Sequence, residues 1–243
     1  GGGILLVPTL LIISEVEPAT AIGTSLLFSL SSSGFGVLSY WKKGLIEWRL
    51  TGRLLTVIIP TAILASYTVN SLEGIIDRQA FDHQMKLLIT FVLLPVTLYL
   101  LRAAFIKTQP TPEHASSGRT RERPILIGSG IVIGSLQGLT SIGSAILVVS
   151  LLTGYFKLAA NLVVGSSLLI STFSSMAGSF VYLYHGNVNL PVGVLLLTGS
   201  FFGVKGGARL AESLPNEHLK KIIALVVFFA FLNMLFSAFH PFV

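Results

Sequence analysis

Apolar residues gather into long runs along this chain, separated by short charged or turn-rich breaks. The runs cover residues 4–13, 20–41, 50–69, 87–105, 125–152, 158–184, 190–204 and 222–239. About 20 apolar residues are needed to cross the hydrocarbon core of a bilayer, and inside lipid the backbone must satisfy its own hydrogen bonds. Each run therefore predicts a membrane helix or part of one, and the expected fold class is all-α integral membrane. The one long polar stretch, 107–123, holds Arg119, Arg121 and Arg123, with Pro110, Pro112 and Pro124 at its edges. Its composition is that of a linker. The expected organisation is a first transmembrane repeat over 1–106, a cytoplasmic linker over 107–123 and a second transmembrane repeat over 124–243.

The word repeat rests on internal identity. An offset of 142 residues places Gly1 on Gly143 and runs without a gap through Ile4 on Ile146, Gly23 on Gly165, Ser25 on Ser167, Ser29 on Ser171, Ser33 on Ser175, Gly36 on Gly178, Tyr40 on Tyr182 and Gly44 on Gly186. Of 48 aligned positions 15 are identical, several of them Gly or Ser rather than interchangeable aliphatics. Gly143 follows an apolar stretch with Gly130, Gly134 and Gly138 at four-residue spacing, so a comparable helix is expected ahead of Gly1.

Composition narrows the class further. Of 243 residues 52% are hydrophobic and 11% charged, against roughly 25% charged in a soluble domain, and the mean hydropathy is +0.82. The net charge of +6 fits cytoplasmic loops enriched in Lys and Arg better than nucleic acid, so the lipid bilayer is the expected large partner. With no cysteine, thiol catalysis, disulfides and cysteine-ligated metals are excluded. The ten acids, among them Glu17, Glu73, Asp77 and Asp82, fall in loops or at the ends of runs. An intramembrane carboxylate marks proton relays and cation sites, and its absence from the runs points to an anion. No metal and no cofactor is expected.

Charge also bears on topology. If each half is a re-entrant hairpin plus three crossings, the repeats are inverted, and 14 of the 16 Lys and Arg lie in the cytoplasm with Arg78 and Lys86 outside. Four full crossings per half give parallel repeats and a 9 to 7 division. The positive-inside rule favours inversion. Run 125–152 would span about 42 Å as one helix against a core of about 30 Å, and a bend at 141–144 absorbs the excess.

Two motifs carry a resemblance. A Gly-rich break, an aliphatic half-helix and a Gly-Thr-Ser helix start appear as Gly1-Gly2-Gly3-Ile4-Leu5-Leu6-Val7-Pro8 with Ala21-Ile22-Gly23-Thr24-Ser25. They recur as Gly138-Leu139-Thr140-Ser141-Ile142-Gly143-Ser144-Ala145 with Val164-Gly165-Ser166-Ser167. Gly199-Ser200-Phe201-Phe202-Gly203 and Gly207-Ala208-Arg209-Leu210 add to the pattern. The chain resembles the TauE/SafE sulfite exporter family, a group of membrane anion transporters. The resemblance implies export of a small sulfur anion, sulfite or an organosulfonate, across the cell membrane by a multi-pass protein.

The residues supply their own reason for an anion. Gly and Ser clusters inside an apolar run break a helix and leave N–H groups free at the next helix start, where the dipole favours negative charge; repeat-built transporters place such starts near the midplane. The expected substrate contacts are backbone groups at Gly2, Gly3, Gly143, Ser144 and Ala145, and hydroxyls of Thr24, Ser25, Thr140, Ser141, Ser166 and Ser167. Gln137 either donates to the substrate or packs between helices. Gly130, Gly134, Gly138, Gly199, Gly203 and Gly207 read as close-packing positions, Asn161 as a helix cap, Pro95 as a kink, and Lys43 and His185 as interfacial. Lys205 reads as a snorkelling lysine or as a cation at the pore mouth. The competing functions are an anion channel, a carboxylate transporter and, last, an intramembrane hydrolase, for which neither a nucleophile elbow nor a His-Glu-x-x-His motif is present.

Overall fold

A computed structural model describes residues 3–13, 16–105, 122–142, 144–200 and 216–239. The described elements are helices: α1 (Gly3–Ile13), α2 (Pro18–Lys42), α3 (Trp48–Glu73), α4 (Arg78–Phe105), α5 (Glu122–Thr140), α6 (Ser144–Ser150), α7 (Ala160–Tyr184), α8 (Leu190–Ser200) and α9 (Asn216–Phe239). A π-helical turn, Leu151–Tyr155, prolongs α6. Most of the expected linker, and positions 201–215 with Gly203, Lys205 and Gly207, lie outside the described residues.

The helices follow the apolar runs with two informative differences. Run 125–152 divides into α5 and α6, because Ser141 takes a left-handed backbone, φ 57°, that ends α5. Helix α4 starts at Arg78, ahead of its run. Its first turns carry Asp82, His83, Gln84 and Lys86, yet Phe81, Met85, Ile89, Leu93 and Val96 are buried along one face, so spacing of three to four residues extends the helix where bulk hydropathy does not. At the start of α7, Ala159 takes the N-cap position expected for Asn161, which lies exposed in the first turn.

Helices α2, α3, α7 and the Arg78–Arg102 part of α4 are long and apolar enough to cross a bilayer. Their outward faces stay apolar, with Phe91, Leu98, Phe180 and Leu64 exposed, as lipid requires. Trp41 and Trp48 meet edge to face at 6.3 Å beside the turn joining α2 to α3. Tyr67 and His185 pair at 5.7 Å at the opposite ends of these helices. Amphipathic aromatics at both ends are the signature of membrane–water interfaces.

The largest helix pairings are α2 with α7, α3 with α5, and α4 with α9. Small residues set the first two. Gly130, Gly134 and Gly138 lie against Val57, Ile58, Thr61, Ala62 and Ser66 of α3, close enough that a Cβ on Gly134 collides with the Ile58 backbone. Helices α2 and α7 are both 25 residues long, with bounds related by the 142-residue offset. Each is followed by a left-handed glycine, Gly44 and Gly186. They run antiparallel with reciprocal contacts: Gly23 sits under Tyr182 and the Asn187 carbonyl, and Gly165 under Tyr40 and the Leu45 carbonyl.

A Gly134→Ala substitution should lower stability by about 1–3 kcal/mol through overpacking against a backbone that cannot retreat. Gly128→Ala, on the same helix with open space at its Cβ, should be neutral or stabilising by up to about 1 kcal/mol. Thermal unfolding of the two purified variants in detergent separates these outcomes.

Candidate functional site

The end of α5 is where the site is built. Ser141 N–H donates to the Gln137 carbonyl at 2.9 Å and closes the last helical turn. In a continuing helix the next N–H, that of Ile142, would donate to the Gly138 carbonyl. It donates instead to Thr140 Oγ1 at 3.2 Å, while that hydroxyl donates to the Leu136 carbonyl at 2.8 Å. The freed Gly138 carbonyl accepts from Tyr182 Oη at 2.9 Å and from Ser66 Oγ at 3.4 Å. Tyr182 is fully buried, and its hydroxyl is placed by the antiparallel crossing of α7.

Around this break three side-chain contacts link three helices in a closed circuit. Ser25 of α2 meets Ser141 at 3.1 Å, Gln137 Nε2 of α5 donates to Ser175 Oγ of α7 at 2.9 Å, and Ser33 of α2 donates to Ser171 of α7 at 3.2 Å. Gln137 lies in the last turn of α5 and Ser141 directly after it, while Ser171 and Ser175 share a face of α7, one turn apart. All six side chains are buried, Gln137 to 1% exposure. Gln137 Oε1 has no hydrogen-bond partner. Leaving such an acceptor unmet costs about 1–3 kcal/mol. Thr51 and Thr97 also lack partners, but they sit on α3 and α4, apart from the circuit.

The circuit is neutral. Every described Lys and Arg side chain is exposed apart from Lys86, which is half-buried. Among the described residues no three His, Asp or Glu come together to hold a metal. An ion held here meets hydroxyl and amide groups.

The expected contacts therefore divide. Ser25, Gln137, Thr140 and Ser141 come together at the break. Thr24 and Ser166 do something else: Thr24 Oγ1 accepts from Asn189 N–H at 2.9 Å, and Ser166 Oγ accepts from Glu47 N–H at 3.0 Å. These are equivalent bonds under the 142-residue offset, and each clasps the start of one helix to the turn after the other. Ser167 Oγ donates to the Val164 carbonyl at 2.9 Å, away from the seam. Gly3 begins α1 and Ser144 begins α6. Gly2 and Gly143 lie outside the described residues. Ser29, Ser33, Ser171 and Ser175 are buried additions, and the four-residue spacing of Ser25, Ser29 and Ser33 is a one-face signal present in the sequence. Tyr182 and Ser66 carry no such signal.

A polar thread leaves the break towards one end of the bundle. From Ser66 it runs to Asn70, whose Nδ2 donates to the Ser66 carbonyl at 2.7 Å. Asn187 Nδ2 then donates to Asn70 Oδ1 at 2.8 Å and to a Glu73 carboxylate oxygen. It ends in a cleft of about 230 Å³ lined by Glu17, Glu73, Arg78, Phe81, Asp82 and Asn187. Arg78 is ion-paired with Glu17 there, and so exposed a pair adds little stability.

The family model for the sulfite exporter TauE/SafE matches residues 1–234. The chain belongs to the TauE/SafE family. It is 28% identical over 236 residues to a Bacillus subtilis (strain 168) protein named "Probable membrane transporter protein YjnA", covering 97% of this chain and 92% of that one. A second protein of that organism, "Probable membrane transporter protein YunE", is 25% identical, covering 93% and 87%. A Xylella fastidiosa (strain Temecula1 / ATCC 700964) protein named "Probable membrane transporter protein" is 28% identical, covering 93% and 84%. No solved structure matches the chain. This TauE/SafE protein is an integral membrane transporter.

Tyr182→Phe keeps the ring and removes the donor to the Gly138 carbonyl. It should cost about 1–2 kcal/mol of stability, read as a lower thermal midpoint, with Tyr40→Phe, half-exposed at the equivalent position, changing little.

Proposed function

We propose that this protein is a secondary transporter that exports a small sulfur-containing anion, sulfite or an organosulfonate, across the cell membrane as a multi-pass protein. The anion binds at the seam of Ser25, Gln137, Thr140 and Ser141, near the bilayer midplane, between helices broken by their Gly and Ser clusters. The backbone groups at Gly2, Gly3, Gly143 and Ser144 complete the reading as donors at the half-helix starts. The observation that carries it is the cluster of buried hydroxyl and amide groups at a helix break, Ser25 against Ser141 and Gln137 against Ser175, in a chain of the sulfite exporter family. The family description supplies the sulfur; the residues supply hydrogen-bond donors suited to an oxyanion.

Alternating access in this reading comes from two inverted repeats, 1–106 and 124–243, rocking about the α2–α7 crossing. Its support is the shared length of α2 and α7, their reciprocal glycine contacts and the paired Thr24 and Ser166 bonds. Equivalent segments that cross antiparallel imply a two-fold axis in the membrane plane, the relation found in inverted-repeat transporters. The 14 to 2 division of Lys and Arg agrees.

Flux in proteoliposomes tests the transport reading. Saturable movement of sulfite or of a singly charged alkanesulfonate is expected, reduced at least tenfold by Ser25→Leu in the seam. A folded wild-type protein that moves no sulfur anion overturns the substrate class. Topology has its own test in this cysteine-free chain. Lys43→Cys and His185→Cys, exposed and related by the repeat offset, should react with a membrane-impermeant thiol reagent from opposite sides, cytoplasmic for Lys43→Cys. Labelling from one side would show parallel repeats.

A further inference from the structure

We infer that the seam selects its ligand by charge state, taking an oxyanion that carries one negative charge and rejecting one that carries two, and that Gln137 is the residue on which this selection turns. The inference rests on the transport reading above.

The donors in the circuit can be counted. A hydroxyl donates once and accepts twice. The Ser25–Ser141 and Ser33–Ser171 pairs each use one of their two hydroxyl hydrogens between themselves and keep one to give. Ser175 accepts from Gln137 and keeps its own hydrogen. If the Gln137 amide turns by half a rotation, Ser175 spends that hydrogen on Oε1, and in exchange the two amide hydrogens face the direction now left unmet. The seam can thus present a small set of neutral donors around Gln137.

Neutral donors disperse one negative charge well, as oxyanion holes do. A second charge brought to the same place needs a cation, because burying an uncompensated charge is far more costly than burying a hydrogen-bonded one. The described Lys and Arg side chains lie at the surface or, for Lys86, half-buried in the early turns of α4, and none joins the circuit. A carboxylate at Gln137, nearly identical in shape, would place a charge of the ligand's own sign in its path.

Probes of fixed charge test this without reference to pH. Methanesulfonate carries one charge and methanedisulfonate two, with the same sulfonate head. In proteoliposomes methanesulfonate should compete with the transported sulfur anion at least tenfold more strongly than methanedisulfonate or sulfate. Gln137→Glu should weaken methanesulfonate competition at least tenfold, with Gln137→Met as a neutral variant that loses donors without adding charge and is affected less. Size-exclusion profiles and thermal midpoints of the variants separate lost binding from lost folding. Equal competition by the two probes, or a folded Gln137→Glu protein that behaves as wild type, overturns the inference and leaves transport standing. If no sulfur anion moves and none of the probes shifts the thermal midpoint of the folded protein, the transport reading and this inference fall together.

Discussion

Lipid offers a peptide group no hydrogen-bond partner, and the break that ends α5 leaves the Gly138 carbonyl, inside the bundle, without the helix's own donor. The rest of the site follows from where that carbonyl finds donors. Gly138 is met by Tyr182 and Ser66, and Thr140 closes the next N–H locally. For Tyr182 to reach, α7 must cross close to α2, which Gly23 and Gly165 permit, and for Ser66 to reach, α3 must close on α5, which Gly138 permits. The same approach brings Gln137 to Ser175 and Ser171 to Ser33. The small residues and the polar seam are therefore one feature: without the first, the second has no donors within reach.

Much of this was legible in the chain, for reasons that differ by residue. Helix bounds followed from apolar runs because lipid solvates the whole outer surface and leaves little ambiguity about what a long apolar stretch does. The early start of α4 did not, since Phe81 and Met85 alternate with polar neighbours and only their spacing reports the buried face. The break at Ser141 was expected from its small, polar neighbourhood. The separate fates of Thr24, Ser25, Ser166 and Ser167 were not. Thr24 and Ser25 are adjacent, so they point in different directions from α2, and which neighbour each meets depends on a crossing that local sequence does not encode. Ser25 finds Ser141, whereas Thr24 finds the backbone of Asn189.

The paired clasps have a mechanical consequence. Thr24 holds the turn after α7, and Ser166 holds the turn after α2, through bonds of nearly equal length. Two part-buried hydrogen bonds at opposite ends of one crossing hold both of its ends in register. Helix α5 faces this crossing through Gln137 and Ser141 and packs closely on α3 through its glycine stripe.

The two ends of the α2–α7 crossing are alike in backbone and unlike in side chain. At one end Asn187 ties the turn after α7 to Asn70 and Glu73 of α3. At the other, the position related by the 142-residue offset is Leu45, whose side chain offers no hydrogen bond. Parting the Asn187 end exchanges protein hydrogen bonds for bonds to water, a change of small net free energy at a wet interface. Parting the Leu45 end exposes apolar surface, with a cost that grows with area. The two ends of the crossing therefore differ in what parting them would cost. The cleft of Glu17, Glu73 and Asp82 lies beside Asn187, at the polar end of the crossing.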